Sequence, residues 1–227
     1  SQIATKLAQT LTLIKQAAER HQRDPNHIQL LAVSKTKPVS DIVIAYENGH
    51  RQFGENYVQE SVEKIQALNH LNDILWHFIG PLQSNKSKFI AEHFDWMHSL
   101  ERLKIAKRLN EQRSPHQSPL NVCVQVNIDD ESNKAGLPES EVMEFVEHLQ
   151  SLSRLRCRGL MTIPKADVSD TERAHSFARM QDLFKRCAQR FEHFDTLSMG
   201  MSDDLDIAVQ YGATMVRVGT GIFGKRS

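Results

Sequence analysis

Eight apolar runs of strand length recur along this chain, with segments of helical periodicity between them. The runs are LLAVSK (30–35), RQFGE (51–55), LWHFIG (75–80), WMHSL (96–100), NVCVQVNI (121–128), CRGLMTI (157–163), LSMG (197–200) and MVRVG (215–219). After the first run, Ser40 is placed to cap a helix and Gly49 to close it. Later helices carry Val58, Val62 and Ile65; Phe89 and Ile90; Leu103, Ala106 and Leu109; Val142, Phe145, Val146 and Leu149; Phe177, Met180, Phe184 and Ala188; and Leu205 with Ala208, closed near Gly212. The amino-terminal segment 1–20 places Ile3, Leu7, Leu11, Ile14 and Ala18 on one stripe. It reads as an added amphipathic helix, not the apolar block of a leader.

This alternation fits an α/β fold, a single (β/α)8 barrel occupying residues 1–227. A doubly wound open sheet shows the same local pattern. Run 121–128 favours the barrel. Its valines and Ile128 share one face and Cys123, Gln125 and Asn127 the other, as expected of a strand packing on helices outside and lining a partly polar barrel mouth inside. No shift of composition marks a domain boundary, and the most loop-like stretch, QRSPHQSP (112–119), joins a helix to a strand.

The chain has 28 Lys and Arg against 28 Asp and Glu, so no overall field favours nucleic acid or an anionic membrane. No run approaches the length of a membrane span. Cys123, Cys157 and Cys187 form neither a CxxC pair nor an even-numbered framework, which points to a reducing cytoplasm. The histidines form neither HExxH nor a zinc-spaced Cys/His set, so no metal is expected.

Parallel barrels bind ligands at the carboxyl ends of their strands, and Lys35, Asn56, His77, Met161, Met199 and Arg217 fall at or near such ends. Lys35 ends an apolar strand. Held against a low-dielectric wall and near the cation Lys37, its amine would be available to attack an aldehyde; the other reading is a lysine that snorkels to solvent. SMGMSDD (198–204) and VRVGTGIFG (216–224) follow the last two strands. Gly200, Ser202, Gly219, Thr220 and Gly221 could cradle a phosphate there, aided by a helix starting near Asp203, or could be ordinary turn residues. Arg217 interrupts an apolar strand and needs an acceptor: a carboxylate from Asp203, Asp204 or Asp206, or the aromatic nitrogen of a ligand. His77 either packs or touches a ligand, and Lys134 is either a solvated loop residue or a cation at the barrel mouth.

Taken together, LLAVSKTKP, QFGENYVQE, WHFIGPLQSNK, GLMTIP and SMGMSDDLDIAVQYGATMVRVGTGIFG resemble the pyridoxal phosphate homeostasis protein family, over positions from about 30 to 224. The resemblance implies a barrel of the alanine racemase amino-terminal type holding pyridoxal 5′-phosphate (PLP) as a Schiff base on Lys35. It also implies that Ser202, Gly219 and Thr220 hold the phosphate, that Arg217 faces the pyridine nitrogen, that Asn56 and Met199 line the cofactor, and that Lys37 and Lys134 lie near the pocket. NKAG stands where GKSG-like text is usual, and GTGIFG where GTAIFG is.

A pyridoxal enzyme also needs a base at the substrate α-carbon and a carboxylate site. Alanine racemase brings a second domain and a tyrosine from it, whereas Tyr46, Tyr57 and Tyr211 are not placed at the cofactor by the sequence. The expectation is therefore a monomeric PLP carrier without turnover, buffering the cofactor or delivering it to apo PLP-dependent enzymes. A small amino-acid racemase is the alternative, and a barrel enzyme for a phosphorylated metabolite without PLP the third reading.

Overall fold

The computed structural model describes residues 1–225. Its eight strands are β1 (Gln29–Val33), β2 (Gln52–Glu55), β3 (Leu75–Phe78), β4 (Trp96–Leu100), β5 (Leu120–Gln125), β6 (Leu155–Met161), β7 (Thr196–Ser198) and β8 (Met215–Val218). They run parallel in chain order and close into a barrel, β1 pairing with β8 from Gln29↔Met215 to Ala32↔Val218. Closure excludes the open doubly wound sheet.

The helices outside are α1 (Gln2–Arg20), α2 (Val39–Glu47), α3 (Val58–Ala67), α4 (Ser87–His93), α5 (Leu103–Gln112), α6 (Val142–Leu149), α7 (Asp170–Arg190) and α8 (Leu205–Gln210). A short α9 (Thr220–Phe223) follows the last strand, where the sequence pattern suggested only a loop. Side-chain caps start the two long helices: Ser1 Oγ accepts from Ala4 N, and Ser169 Oγ accepts from Glu172 N, with Asp170 and Glu172 adding favourable charge at the α7 amino end.

Strand alternation sorts the core into two shells. Outward residues such as Leu30, Ala32, Val122 and Val124 join the large cluster shared with the helices. Inward residues form two small clusters inside the barrel, Leu31, Val33, Ile79 and Met215 on one side and Trp96, Cys123 and Met161 on the other. The split of 121–128 into apolar-out and Cys123-in is thus observed.

Several local expectations are corrected. Ser40 lies inside α2, whose cap is Pro38; the proline ring holds φ at −71° and starts the helix without a side-chain cap. On α1 the buried stripe is Leu7, Thr10, Ile14, Ala17 and Ala18, and Leu11 is 46% exposed. The face that α3 presents to the barrel is centred on Ser61 and Lys64, while Val58, Val62 and Ile65 are only partly buried. The helix expected from Asp203 begins at Leu205. Gly49 and Gly212 do follow the helices they were expected to close, both at positive φ.

Candidate functional site

β2 and β4 end where their apolar runs end and the other six strands one to three residues earlier, so Lys35, Asn56, Met199, Ser202, Gly219 and Thr220 stand just beyond the strands while His77, Met161 and Arg217 lie within β3, β6 and β8. β1 ends at Val33, and Lys35 follows on a tight turn. Lys35 is exposed, so the desolvated amine expected from its apolar strand is not observed. What is sealed is the turn beneath it. Ser34 is fully buried, its N–H donates to Gly54 O at 2.9 Å, and its hydroxyl donates to Glu55.

Lys64 completes that foundation. Its ammonium, at the end of a 6% exposed residue, donates to Ser34 O at 2.8 Å and to the two Glu55 oxygens at 3.0 and 3.1 Å. Burial raises the Glu55 carboxyl pKa, and the adjacent Lys64 ammonium and Ser34 hydroxyl pull it back. Thr36, on the other side of Lys35, holds φ at 65°, a strained value for a β-branched residue, and its N–H donates to Glu60 Oε1 at 2.8 Å. Sequence reasoning missed Ser34, Glu55 and Lys64. The available signal was a lysine on the helix face that carries Ser61 and Leu68.

Asn56 follows Glu55 at the end of β2, and its Oδ1 is buried with no hydrogen-bond partner among the described residues. A buried acceptor left this way is costly unless a ligand or water supplies a donor.

Because β1 neighbours β8, the turn bearing Lys35 lies beside the loops after β7 and β8; a Cβ on Gly219 would meet Val33 at 3.4 Å. Ser202 is exposed and its hydroxyl has no partner among the described residues. In α9 the N–H groups of Ile222 and Phe223 both turn back to Gly219 O at 2.9 Å. Those of Thr220 and Gly221, at the helix start, have no hydrogen-bond partner among the described residues. The two loops touch: a Cβ on Gly221 would stand 2.9 Å from Val218 Cγ1 and 3.2 Å from Ser202 Oγ. Glycine at 221 therefore keeps the backbone beside that hydroxyl open.

Arg217 points inward from β8 and is 6% exposed. Its Nη1 donates to Ser198 Oγ at 2.7 Å and its Nη2 to Thr162 O at 3.0 Å. The carboxylate partner expected from Asp203, Asp204 or Asp206 is not found; Asp204 pairs with Arg173 and Asp206 with Arg20. Burial lowers the Arg217 pKa to about 10, still a cation at neutral pH. Arg217 Nε has no acceptor among the described residues, leaving a charged donor for an acceptor outside the chain.

His77 is fully buried inside the barrel, where it stacks on Trp96 and bonds His98 and Gln52, so it packs below the mouth. Met199 is fully buried in the outer core cluster and Met161 in an inner one. Lys37 Nζ donates to Lys225 O at 2.8 Å, and Lys134 is exposed after β5. A cavity of about 310 Å³ between α1 and the last two loops is lined by Lys6, Arg20, Ser202, Asp206, Val218 and Gly221; Lys35 is not part of its wall. Among the described residues no cluster of His, Cys, Asp or Glu could hold a metal ion, and no helix is long and apolar enough to cross a membrane.

An exposed amine, a buried donor-only guanidinium, two touching loops with backbone N–H groups at a helix start and an orphaned amide oxygen are groups that fit the chemistry of PLP. Comparison with known proteins agrees. The family described as alanine racemase, N-terminal domain, matches residues 6–227. The pyridoxal phosphate homeostasis protein of Escherichia coli strain K12 is 53% identical over 227 residues, covering 99% of this chain and 97% of that one. PipY of Synechococcus elongatus PCC7942, solved with PLP bound, superposes with a TM-score of 0.83 at 37% identity, covering 98% of this chain and 100% of that one. Alanine racemase from E. faecalis shares the fold, with a TM-score of 0.69 at 19% identity over 95% of this chain and 58% of that one.

Proposed function

This chain belongs to the pyridoxal phosphate homeostasis family, within the wider alanine racemase N-terminal domain family, and from that membership we propose that it binds PLP on Lys35 and keeps the cofactor available to the cell. The observation that carries the reading is an accessible amine set beside two donor-rich loops, with the Arg217 guanidinium buried on β8 next to them. When bound, PLP supplies an aldehyde that exchanges reversibly between amines.

Each side chain has a separate task. Lys35 would hold the cofactor's aldehyde covalently through its amine, with water released. Ser202, Gly219 and Thr220 hold the phosphate through the hydroxyl and backbone N–H groups. Arg217 would face the pyridine nitrogen and donate to it without giving up its proton, which would leave the ring a weaker electron sink than an acidic partner would. Asn56 and the Met199 segment flank the cofactor, and Lys37 and Lys134 add positive charge near the mouth.

Carrier rather than catalyst is the reading we favour. Tyr46 is tied to Asp73, Tyr211 closes α8, and Tyr57 stands exposed at the start of α3, so no tyrosine among the described residues is held toward Lys35 by a hydrogen bond. The protein would act as a cytoplasmic monomer, one PLP-binding domain, passing the cofactor to the lysine of an apo PLP-dependent enzyme. Three buried free thiols suit a reducing compartment.

Borohydride treatment of the PLP-loaded protein followed by peptide mass analysis is expected to place the reduced adduct on Lys35, and Lys35→Ala to abolish the visible imine band. An adduct found only on another lysine overturns the assignment. Steady turnover of a D- or L-amino acid that depends on Lys35 would replace the carrier by an enzyme. Mixing loaded protein with an apo enzyme in the presence of a free-PLP trap separates direct delivery, which survives the trap, from buffering through solution.

A further inference from the structure

A string of polar side chains runs through the barrel between its two inner apolar clusters. It begins with Arg217 Nη1 to Ser198 Oγ at 2.7 Å and continues from Ser198 Oγ to His98 Nδ1 at 3.1 Å. His98 Nε2 then meets His77 Nδ1 at 2.9 Å, His77 Nε2 meets Gln52 Oε1 at 3.0 Å, and Gln52 Nε2 meets Gln29 Oε1 at 2.6 Å. Ser198, His98 and His77 are fully buried, while Gln29 is exposed at the amino end of β1. The string therefore crosses the barrel from the face opposite the mouth up to Arg217.

Its direction follows from chemistry. A guanidinium only donates, so Ser198 Oγ accepts from Arg217 and must send its own proton elsewhere. Among the described residues its remaining partner is His98 Nδ1, which therefore accepts. The His98 proton then sits on Nε2 and is donated to His77 Nδ1; the His77 proton likewise sits on Nε2 and is donated to Gln52 Oε1. That leaves the Gln52 amide N–H to donate to Gln29, the orientation it has. Reversing the histidines would set His77 Nε2, an acceptor, against Gln52 Oε1, and would strand the Ser198 proton in the core, which is costly.

We propose that Ser198, His98, His77 and Gln52 are positioning residues for Arg217, a one-way hydrogen-bond chain that holds the guanidinium in the orientation that presents its free N–H to the ring nitrogen of the cofactor. The proposal rests on the PLP reading above. With no ion-pair partner in contact among the described residues, the buried guanidinium is oriented by neutral acceptors, here Ser198 and the Thr162 carbonyl, so removing one frees it to turn. A chain of aligned bonds in a dry interior also strengthens each member by polarisation.

The test has two arms. Long-range ¹H–¹⁵N correlation spectra of the unmodified, PLP-free protein near neutral pH are expected to show His77 and His98 both neutral with the proton on Nε2. A proton on Nδ1 of either ring, or a cationic ring, overturns the chain. In the second arm, Ser198→Ala and His98→Phe are titrated with PLP and with its 1-deaza analogue, which keeps the aldehyde and phosphate but has carbon in place of the ring nitrogen. The expected result is a loss of at least about tenfold in affinity for PLP with little change for the analogue. Equal losses for both ligands, or none for either, overturn the positioning role while leaving PLP binding intact. Failure of the unmodified protein to bind PLP at all overturns both readings.

Discussion

Buried histidines in the barrel interior give single residues a measurable pH signature. Burial, helped by the nearby Arg217 cation, holds the His98 pKa at about 3 against an ordinary 6.5, and burial likewise pushes His77 well below its ordinary value. Above pH 6.5 both folded and unfolded forms are neutral and their contribution to stability is fully present. As pH falls from 6.5 toward 3, the unfolded chain takes up protons that the folded chain refuses, so stability is lost in that window. Urea midpoints are expected to correspond to a loss of about 2 kcal/mol from His98 alone between neutrality and about pH 5. The slope should be shallower in His98→Phe; an unchanged slope in that variant would show that another group sets it.

At the scale of elements, α1 is more than an appendage. Its buried stripe packs against α8 and α9, and the start of α9 carries the Thr220 and Gly221 donors. Ile14, 4% exposed, is the large apolar residue in the middle of that stripe. Ile14→Ala is expected to lower stability by about 2–4 kcal/mol, read from urea unfolding, whereas Leu11→Ala on the exposed side should change it by no more than about 0.5 kcal/mol. Comparable losses from both would mean that α1 does not pack in this register. The sequence pattern placed all eight strands and α1 to α8 because alternation and 3.6-residue periodicity are local properties. It misassigned faces where polar residues are the buried ones: α3 turns Ser61 and Lys64 inward because Glu55 and the Ser34 carbonyl need a donor there, which no apolar stripe can reveal.

For the molecule as a whole, the three cysteines report on barrel integrity. All are buried and unpaired; burial raises Cys123 well above the ordinary thiol value, Cys157 to about 12 and Cys187 to about 11. An alkylating reagent near neutral pH is expected to modify none of them in the folded protein and all of them in denaturant, so labelling should follow global unfolding. Labelling of one cysteine well before the others would reveal a part of the barrel that opens by itself. What the amino-acid sequence alone determined was a strand–helix alternation that fits a barrel and an open sheet alike, and the candidate residues Lys35, Arg217, Ser202 and the glycines, which the family resemblance reads as a pyridoxal site, because alternation and side-chain chemistry are local properties. Closure of β1 on β8, the Lys64–Glu55 pair under the lysine turn and the polar string from Gln29 to Arg217 were decided only by tertiary structure. Each joins residues far apart in the chain whose burial and hydrogen-bond partners exist only once the strands have closed.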